Sequence, residues 1–337
     1  TNFGDFLNGW MWPQLLEGFL SDSDGIRLVG VGSLLKSSLN RVAGTKVVFG
    51  TGSGYGTIPR PEHRTDWRFY FVRGPRTAAA FNLDPSVAIV DGSWMIGLLP
   101  KSTPICPRRG TAFIPHWTSV ENGNWGRVCE QVGFRLVNPL GDLAEILRTL
   151  QESELVITES LHGAILADLF RTPWIPVSLS PHFLPFKWLD WFESVCVDVP
   201  IRKLPLSDAF EYMRAVRWCG NDEWSDRVVD MSMVDWPRLE ERQIPRGGKI
   251  YKFGSRARVA LREGRGRAIG ALEPFRDNIL VRGWNTRHRE RLAELLSKVA
   301  LERPALSTDA VHAEKLERLS AVLDRLKSDY SQGKIHS

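Results

Sequence analysis

The chain has 337 residues, 43% hydrophobic and 25% charged, with a formal net charge of +5. This is the balance of a soluble globular protein and the length of two ordinary domains. No apolar run approaches the roughly 18–20 residues needed to cross a bilayer, and no secretory signal pattern is visible, which makes an integral membrane or exported protein unexpected. Cys106, Cys129, Cys196 and Cys219 lack the close spacing of a zinc site or a disulfide framework. A cytoplasmic protein with no metal centre is the expectation.

The charge is unevenly spread. Residues 236–337 hold 22 of the 44 Lys+Arg but only 13 of the 39 Asp+Glu, and much of the excess lies between Arg246 and Arg267. Such a basic, glycine-punctuated region suits either a solvated face or an acidic partner, whether nucleic acid, anionic membrane or phosphorylated acceptor.

In chain order, a Trp- and Leu-rich helix is predicted over 6–20. Short apolar strands follow at 27–31, 46–49, 68–72 and 87–90, several ending in glycine clusters (Gly30-Val31-Gly32 and Gly50-Thr51-Gly52-Ser53-Gly54-Tyr55-Gly56). After a proline-rich link at Pro100, Pro104 and Pro107, a second unit runs through a strand at 111–117 and a loop and helix at 120–134. A short strand at 136–139 and an amphipathic helix at 143–153 come next. A strand–helix pair spans 154–169, and a strand covers 174–180. Strands alternating with helices predict parallel sheets, with ligands at the strands' carboxyl ends. Tryptophan-rich 186–195 and residues 208–218 read as helices, as do 289–301 and 313–330, the last with Leu316, Leu319, Leu323 and Leu326 on one side.

The most informative stretch is ELVITESLHGAILADL (154–169). A buried strand feeds a helix through a polar turn, which presents unpaired backbone N–H groups and the positive end of a helix dipole to an anion. His162 stands in that turn, as a capping residue or as a titratable group beside a bound anion. The glycine runs match neither a dinucleotide fingerprint nor a Walker loop, and read as strand-end turns, some lining the cleft. Asp5 is either the first helix's cap or a cleft carboxylate. Arg73, after a strand, is either a surface residue or a ligand for carboxylate or phosphate. His116 ends the first strand of the second unit, where side chains face the ligand crevice.

Taken together, NFGDFLN (2–8), FGTGSGYG (49–56), FVRGPRT (71–77), VDG (90–92), IPHW (114–117) and ITESLHGAILADL resemble the polysaccharide pyruvyl transferase family. The likeness covers roughly residues 1–200 and leans toward the bacterial exopolysaccharide branch that makes succinoglycan-type or xanthan-type pyruvate ketals. It implies an α/β fold of two Rossmann-like domains facing across a cleft, as in glycosyltransferase-B enzymes. The expected boundaries are 1–103, 104–220 carrying the Ser-Leu-His-Gly donor turn, and a basic, partly helical extension at 221–337.

The resemblance also implies phosphoenolpyruvate as donor, with no further cofactor. Arg73, Leu161 and His162 would line the donor site, joined by Ser160, Gly163, Asn2, Gly52 and Arg76 from the same motifs. His162 is then the leading general acid or phosphate ligand, Asp5 a base, and His116 a second acid–base group or acceptor contact. Many members carry arginine where this chain has Ser160, and Arg76, Lys187 or a basic residue of the tail is the expected substitute. The implied acceptor is an oligosaccharide on a lipid diphosphate carrier, reached by a cytoplasmic enzyme peripheral to the inner membrane face. The rivals are a nucleotide-sugar glycosyltransferase, which would bind a uridine or guanosine diphosphate, and a basic nucleic-acid scaffold, which would bind with strong salt dependence.

Overall fold

The computed structural model describes residues 2–19, 25–100, 107–179, 183–212, 238–239 and 279–335. The basic stretch 246–267 lies outside them, as does most of the helix expected at 208–218. The described chain is a mixed α/β structure in which every strand pairing is parallel. Strands β1 (Ile26–Val29), β2 (Thr45–Phe49) and β4 (Trp67–Phe71) form a three-stranded sheet in that order, while β3 (Thr57–Ile58) pairs with the short β10 (Arg238–Leu239). A five-stranded sheet has the order β6-β5-β7-β8-β9, with β5 at Thr111–Ile114, β6 at Arg135–Leu136, β7 at Leu155–Thr158, β8 at Trp174–Ser178 and β9 at Arg202–Lys203.

Parallel strands covered on both faces read as continuous apolar runs, and the packing here shows why. Val156 of β7 joins the large core that also holds Phe3, Leu7 and Met11, while its neighbour Ile157 faces a second core with Phe113, Ile175 and Trp125. In β2, Val47 and Phe49 enter the large core and Val48 enters a third, with Ile58, Trp67 and Phe81.

The run 87–90 is not a strand. Pro85 starts a tight turn capped by Asp84, and a second such helix, Gly92–Leu98, begins at once under the cap of Asp91. Only a single bridge from Val72 to Ala88 is left for the sheet. The first helix, α1 (Phe3–Leu15), starts earlier than its apolar pattern suggested, because Asn2 rather than Asp5 caps it. Asp5 answers as the third helical residue, receiving the Asn2 side-chain amide at 3.3 Å, in the manner of a capping box.

The remaining helices are α2 (Pro75–Ala80), α3 (Trp117–Asn122), α4 (Trp125–Val132), α5 (Leu143–Glu152), α6 (Leu161–Leu169), α7 (Pro185–Ser194), α8 (Ile279–Val299) and α9 (Asp309–Ser331). The last two are built into the second and the large core respectively. Leu292, Leu296 and Val299 of α8 pack with Trp125 and Val128 of α4, and Leu319, Leu323 and Leu326 of α9 join α1 and the Gly92–Leu98 helix. The link between α8 and α9 pairs with β8 through Ala305 and Trp174, and the buried Asp168 accepts from Ser307 N and Trp174 Nε1. Among the described residues, no helix is long and apolar enough to cross a membrane.

Glu211 carries a testable consequence of this packing. It is buried, accepting from Ser207 N at 2.5 Å and Trp125 Nε1 at 3.2 Å. Burial pushes its carboxyl up to about 7, against the downward pull of those hydrogen bonds. The folded chain therefore holds a proton that the unfolded chain releases near the ordinary carboxylate range. Its contribution is complete below about pH 4.5 and lost as pH rises through 7, on the order of 3 kcal/mol when fully lost. Chemical denaturation from pH 5 to 8.5 should show Glu211→Gln with a flatter alkaline decline than wild type; parallel declines would contradict this.

Candidate functional site

The site is assembled where the carboxyl ends of the two larger sheets meet. β7 ends in Thr158, whose Oγ1 accepts from Ser160 N at 2.9 Å and so turns the chain into α6. A Cβ on Gly163 would lie 2.5 Å from that oxygen, so Gly163 leaves room for the turn. Ser160 is the N-cap of α6 but its side chain caps nothing. The first-turn N–H groups consequently keep their affinity for an anion. Leu161 is buried in the large core and anchors the turn.

His162 lies in the first turn of α6, its side chain 16% exposed. Its ring stands edge-on to Phe3, with centroids 6.3 Å apart, and packs on the backbone of α1 at Gly4. Its Nε2 is buried without a hydrogen-bond partner, 3.9 Å from Oδ1 of Asp91. Asp91 is itself completely buried; Oδ1 accepts from Ser93 N and Oγ, while Oδ2 has no partner. A buried polar atom without a partner is costly unless something is done with it, and His162 Nε2 and Asp91 Oδ2 are both such atoms. Burial is the main force on His162 and pushes its pKa down. Asp91 opposes it, Lys187 reinforces it, and Asp5 and Arg73 act more weakly in opposite directions. The resting imidazole is neutral near pH 7.

Gly4 is what permits this placement. A Cβ there would sit 2.1 Å from His162 Nδ1, well inside contact distance. Gly4→Ala should therefore expel the imidazole while the first turn of α1, which alanine suits better than glycine, still forms. We expect activity to fall at least as far as in a His162 deletion variant, with thermal unfolding changed far less; full activity in Gly4→Ala would contradict the placement.

Arg73, just beyond β4, is 1% exposed and mostly committed inside the protein. It donates to Asp190 Oδ2 at 2.9 Å, Ser33 Oγ at 3.0 Å and Ser53 O at 2.5 Å. Asp190 also accepts from the N–H and hydroxyl of Thr77, which ties α2 to α7. Gly52 gives the guanidinium its place, since a Cβ would approach Cζ to 2.2 Å. Arg76 is clamped by Glu193, to which it donates from Nε and Nη2 at 2.9 and 2.6 Å. Lys187, in the first turn of α7, donates to Tyr55 Oη at 2.8 Å and lies over its ring.

Asp5, Arg73 and Lys187 thus all act electrostatically on His162, with Asn2 beside Asp5 and Gly52 beside Arg73. His116 stands apart from this group in its bonding. It caps α3, its Nδ1 lies 2.7 Å from Thr118 Oγ1, and its N–H is held by Glu159. Glu159 also accepts from Ser119 Oγ and Leu179 N, fixing the ends of β5, β7 and β8 together. Sequence reasoning passed over Asp91, Asp190 and Glu159. Asp91 lies within the Val90-Asp91-Gly92 motif, and the available signal for Asp190 is an acid within an aromatic-rich helix.

Fold and site together define an α/β protein with its functional groups at the carboxyl ends of parallel strands, around a half-buried histidine beside a buried carboxylate and an uncapped helix start. The chain belongs to the polysaccharide pyruvyl transferase family, whose sequence pattern matches residues 18–181. It is 34% identical over 334 residues to the succinoglycan biosynthesis protein ExoV of Rhizobium meliloti (strain 1021), covering 98% of this chain and 96% of that protein. No solved structure matches the chain at a significant level.

Proposed function

We propose that this pyruvyl transferase moves the enolpyruvyl group of phosphoenolpyruvate onto two hydroxyls of one sugar in an exopolysaccharide repeat unit, releasing phosphate. The observation that carries the reading is the buried, unpartnered Nε2 of His162, 3.9 Å from Oδ1 of the buried Asp91, beside the uncapped start of α6. That is a proton-handling group next to a place for an anion. The likeness to a succinoglycan biosynthesis protein supports an exopolysaccharide acceptor.

In this mechanism His162 delivers a proton to the methylene carbon of the donor, leaving positive charge on the carbon that bears the phosphate ester. A first sugar hydroxyl bonds to that carbon and gives its proton to Asp5. The carbon–oxygen bond to phosphate then breaks, phosphate departs with its electron pair, and a second hydroxyl of the same sugar closes the ring as its proton is released. The neutral resting imidazole must gain a proton before the first step. The negative charge of the arriving donor favours this, and Asp91 stabilises the imidazolium that results. Arg73 supports the site, His116 contacts the acceptor, and no metal ion takes part. The acceptor is proposed to be carried on a lipid diphosphate at the inner membrane face.

Phosphate release from phosphoenolpyruvate, measured against a panel of hexose-terminated oligosaccharides, tests donor and acceptor together. Acceptor-dependent release is expected. Consumption of a uridine or guanosine diphosphate sugar without phosphoenolpyruvate turnover would replace this reading with a glycosyltransferase.

A further inference from the structure

Most of the described tryptophans are buried in the cores, whereas Trp117 is 38% exposed and belongs to none of them. It opens the short helix α3 just beyond the end of β5. Among the described residues its ring meets one other, that of His116, with centroids 5.6 Å apart at 44°. An indole left in water forgoes the burial that normally rewards its size, and aromatic side chains placed in this way are enriched on surfaces that receive a ligand.

Hydrogen bonds fix where that ring stands. Ile114, the last residue of β5, pairs with Thr158 of β7, and its carbonyl accepts from Glu159 N at 2.9 Å and Thr158 Oγ1 at 3.2 Å. The Glu159 carboxylate then grips the chain on both sides of Trp117, with Oε2 accepting from His116 N and from Ser119 Oγ, each at 2.8 Å. Glu159 is buried and immediately precedes Ser160, the uncapped start of α6. The two segments also meet closely, since a Cβ on Gly163 would lie 3.3 Å from Ile114 Cδ1. Trp117 is thereby held at the same sheet edge as the His162 turn, with much of its indole open to solvent.

We propose that Trp117 is the platform on which the acceptor sugar stacks, with the sugar's hydroxyls turned toward the His162 turn. A pyranose ring carries several C–H groups on one face, and these apolar, slightly positive hydrogens pack on the electron-rich face of an indole. Stacking orients the ring without occupying its hydroxyls, which suits a transfer that bonds two of them to one carbon. The platform favours a hexopyranose with an unbroken C–H face over one whose axial hydroxyls interrupt it. The class of ligand rests on the sugar-acceptor reading above; the place of the ring does not.

Calorimetric titration with the hexose-terminated oligosaccharides, without phosphoenolpyruvate, tests this apart from turnover. Trp117→Ala is expected to weaken the best ligand, and to raise its KM in turnover, roughly 10-fold. KM for phosphoenolpyruvate and the unfolding midpoint should stay near wild type, because the ring lies outside the cores. Trp117→Phe, which keeps a flat ring, should recover part of the affinity. Trp117→Leu, which keeps apolar bulk without one, should bind as poorly as the alanine variant. Equal affinity in wild type and Trp117→Ala, recovery by leucine as full as by phenylalanine, or a wild type that binds none of the panel would overturn the assignment. If the oligosaccharide binds through Trp117 but phosphoenolpyruvate is not consumed, the platform stands and the donor reading falls.

Discussion

Replacing His162 by glutamine is expected to lower phosphate release from phosphoenolpyruvate by roughly 10²–10⁴-fold, the usual contribution of a positioned acid–base group. Glutamine preserves much of the ring's volume against Gly4 and Phe3 but cannot carry a proton between atoms. Asp91→Asn should reduce turnover as well, because its side chain no longer offers charge to the imidazolium 3.9 Å away. The pH dependence adds a sign. Burial holds His162 below its ordinary value in the free protein, whereas an adjacent anion raises it. The alkaline limb of kcat should therefore lie at higher pH than that of kcat/KM. Folding stability follows the free protein: unfolded His162 takes up a proton more readily than folded His162, so its contribution is present above about pH 6.5 and lost as pH falls below it. His162→Gln should make the acid decline of stability shallower. Near-normal turnover in this variant would remove His162 from the chemistry.

The largest stability effect is expected at Asp190. Its side chain is fully buried and accepts from Arg73 Nε, Thr77 N and Thr77 Oγ1 at 2.9, 2.8 and 2.6 Å. Asp190→Ala leaves the Arg73 guanidinium, equally buried, without its counter-charge. Breaking a buried pair from one side costs about 3–5 kcal/mol, seen as a lower denaturation midpoint. Replacing both members by apolar residues of similar size, as in Arg73→Met with Asp190→Leu, should recover part of the stability, since the pair's desolvation cost disappears with its attraction while the Thr77 N–H and hydroxyl still lack the acceptor Asp190 gave them. Activity should stay low in the double variant, because Arg73 also holds Ser33 and Ser53 beside the site. An unstable double variant, or an Asp190→Ala protein as stable as wild type, would contradict the account.

Much of the local architecture was legible in the sequence because it depends on neighbours in the chain. The strand–turn–helix at 155–169 followed from an apolar run, a Thr-Glu-Ser turn and helical spacing, and the structure places β7 and α6 there. The parallel character of the two larger sheets followed from strands alternating with helices. What depended on distant partners was hidden. Asp190 meets Arg73 across 117 positions, and nothing near either residue announces the other. The apolar run 87–90 has strand composition, yet Pro85 and the cap at Asp91 leave it a single bridge. The glycine run at 50–56 reads from sequence as a strand-end turn, and only packing shows that the side chains of Arg73 and Lys187 press on Gly52 and Gly54. Gly50 differs from both: its φ of +91° and its contact with Gly92 Cα join the end of β2 to the turn that carries Asp91.

The central claim is that the protein delivers a proton to the donor's methylene carbon and joins the resulting centre to two hydroxyls of one sugar. Its most direct test is the reaction run in deuterated water with phosphoenolpyruvate and the best acceptor of the panel, followed by NMR and mass analysis of the sugar product. The account predicts a cyclic ketal whose methyl group carries one solvent deuterium, formed together with inorganic phosphate and sharply reduced in His162→Gln. A product whose transferred group lacks solvent deuterium, or retains its carbon–carbon double bond, would contradict it.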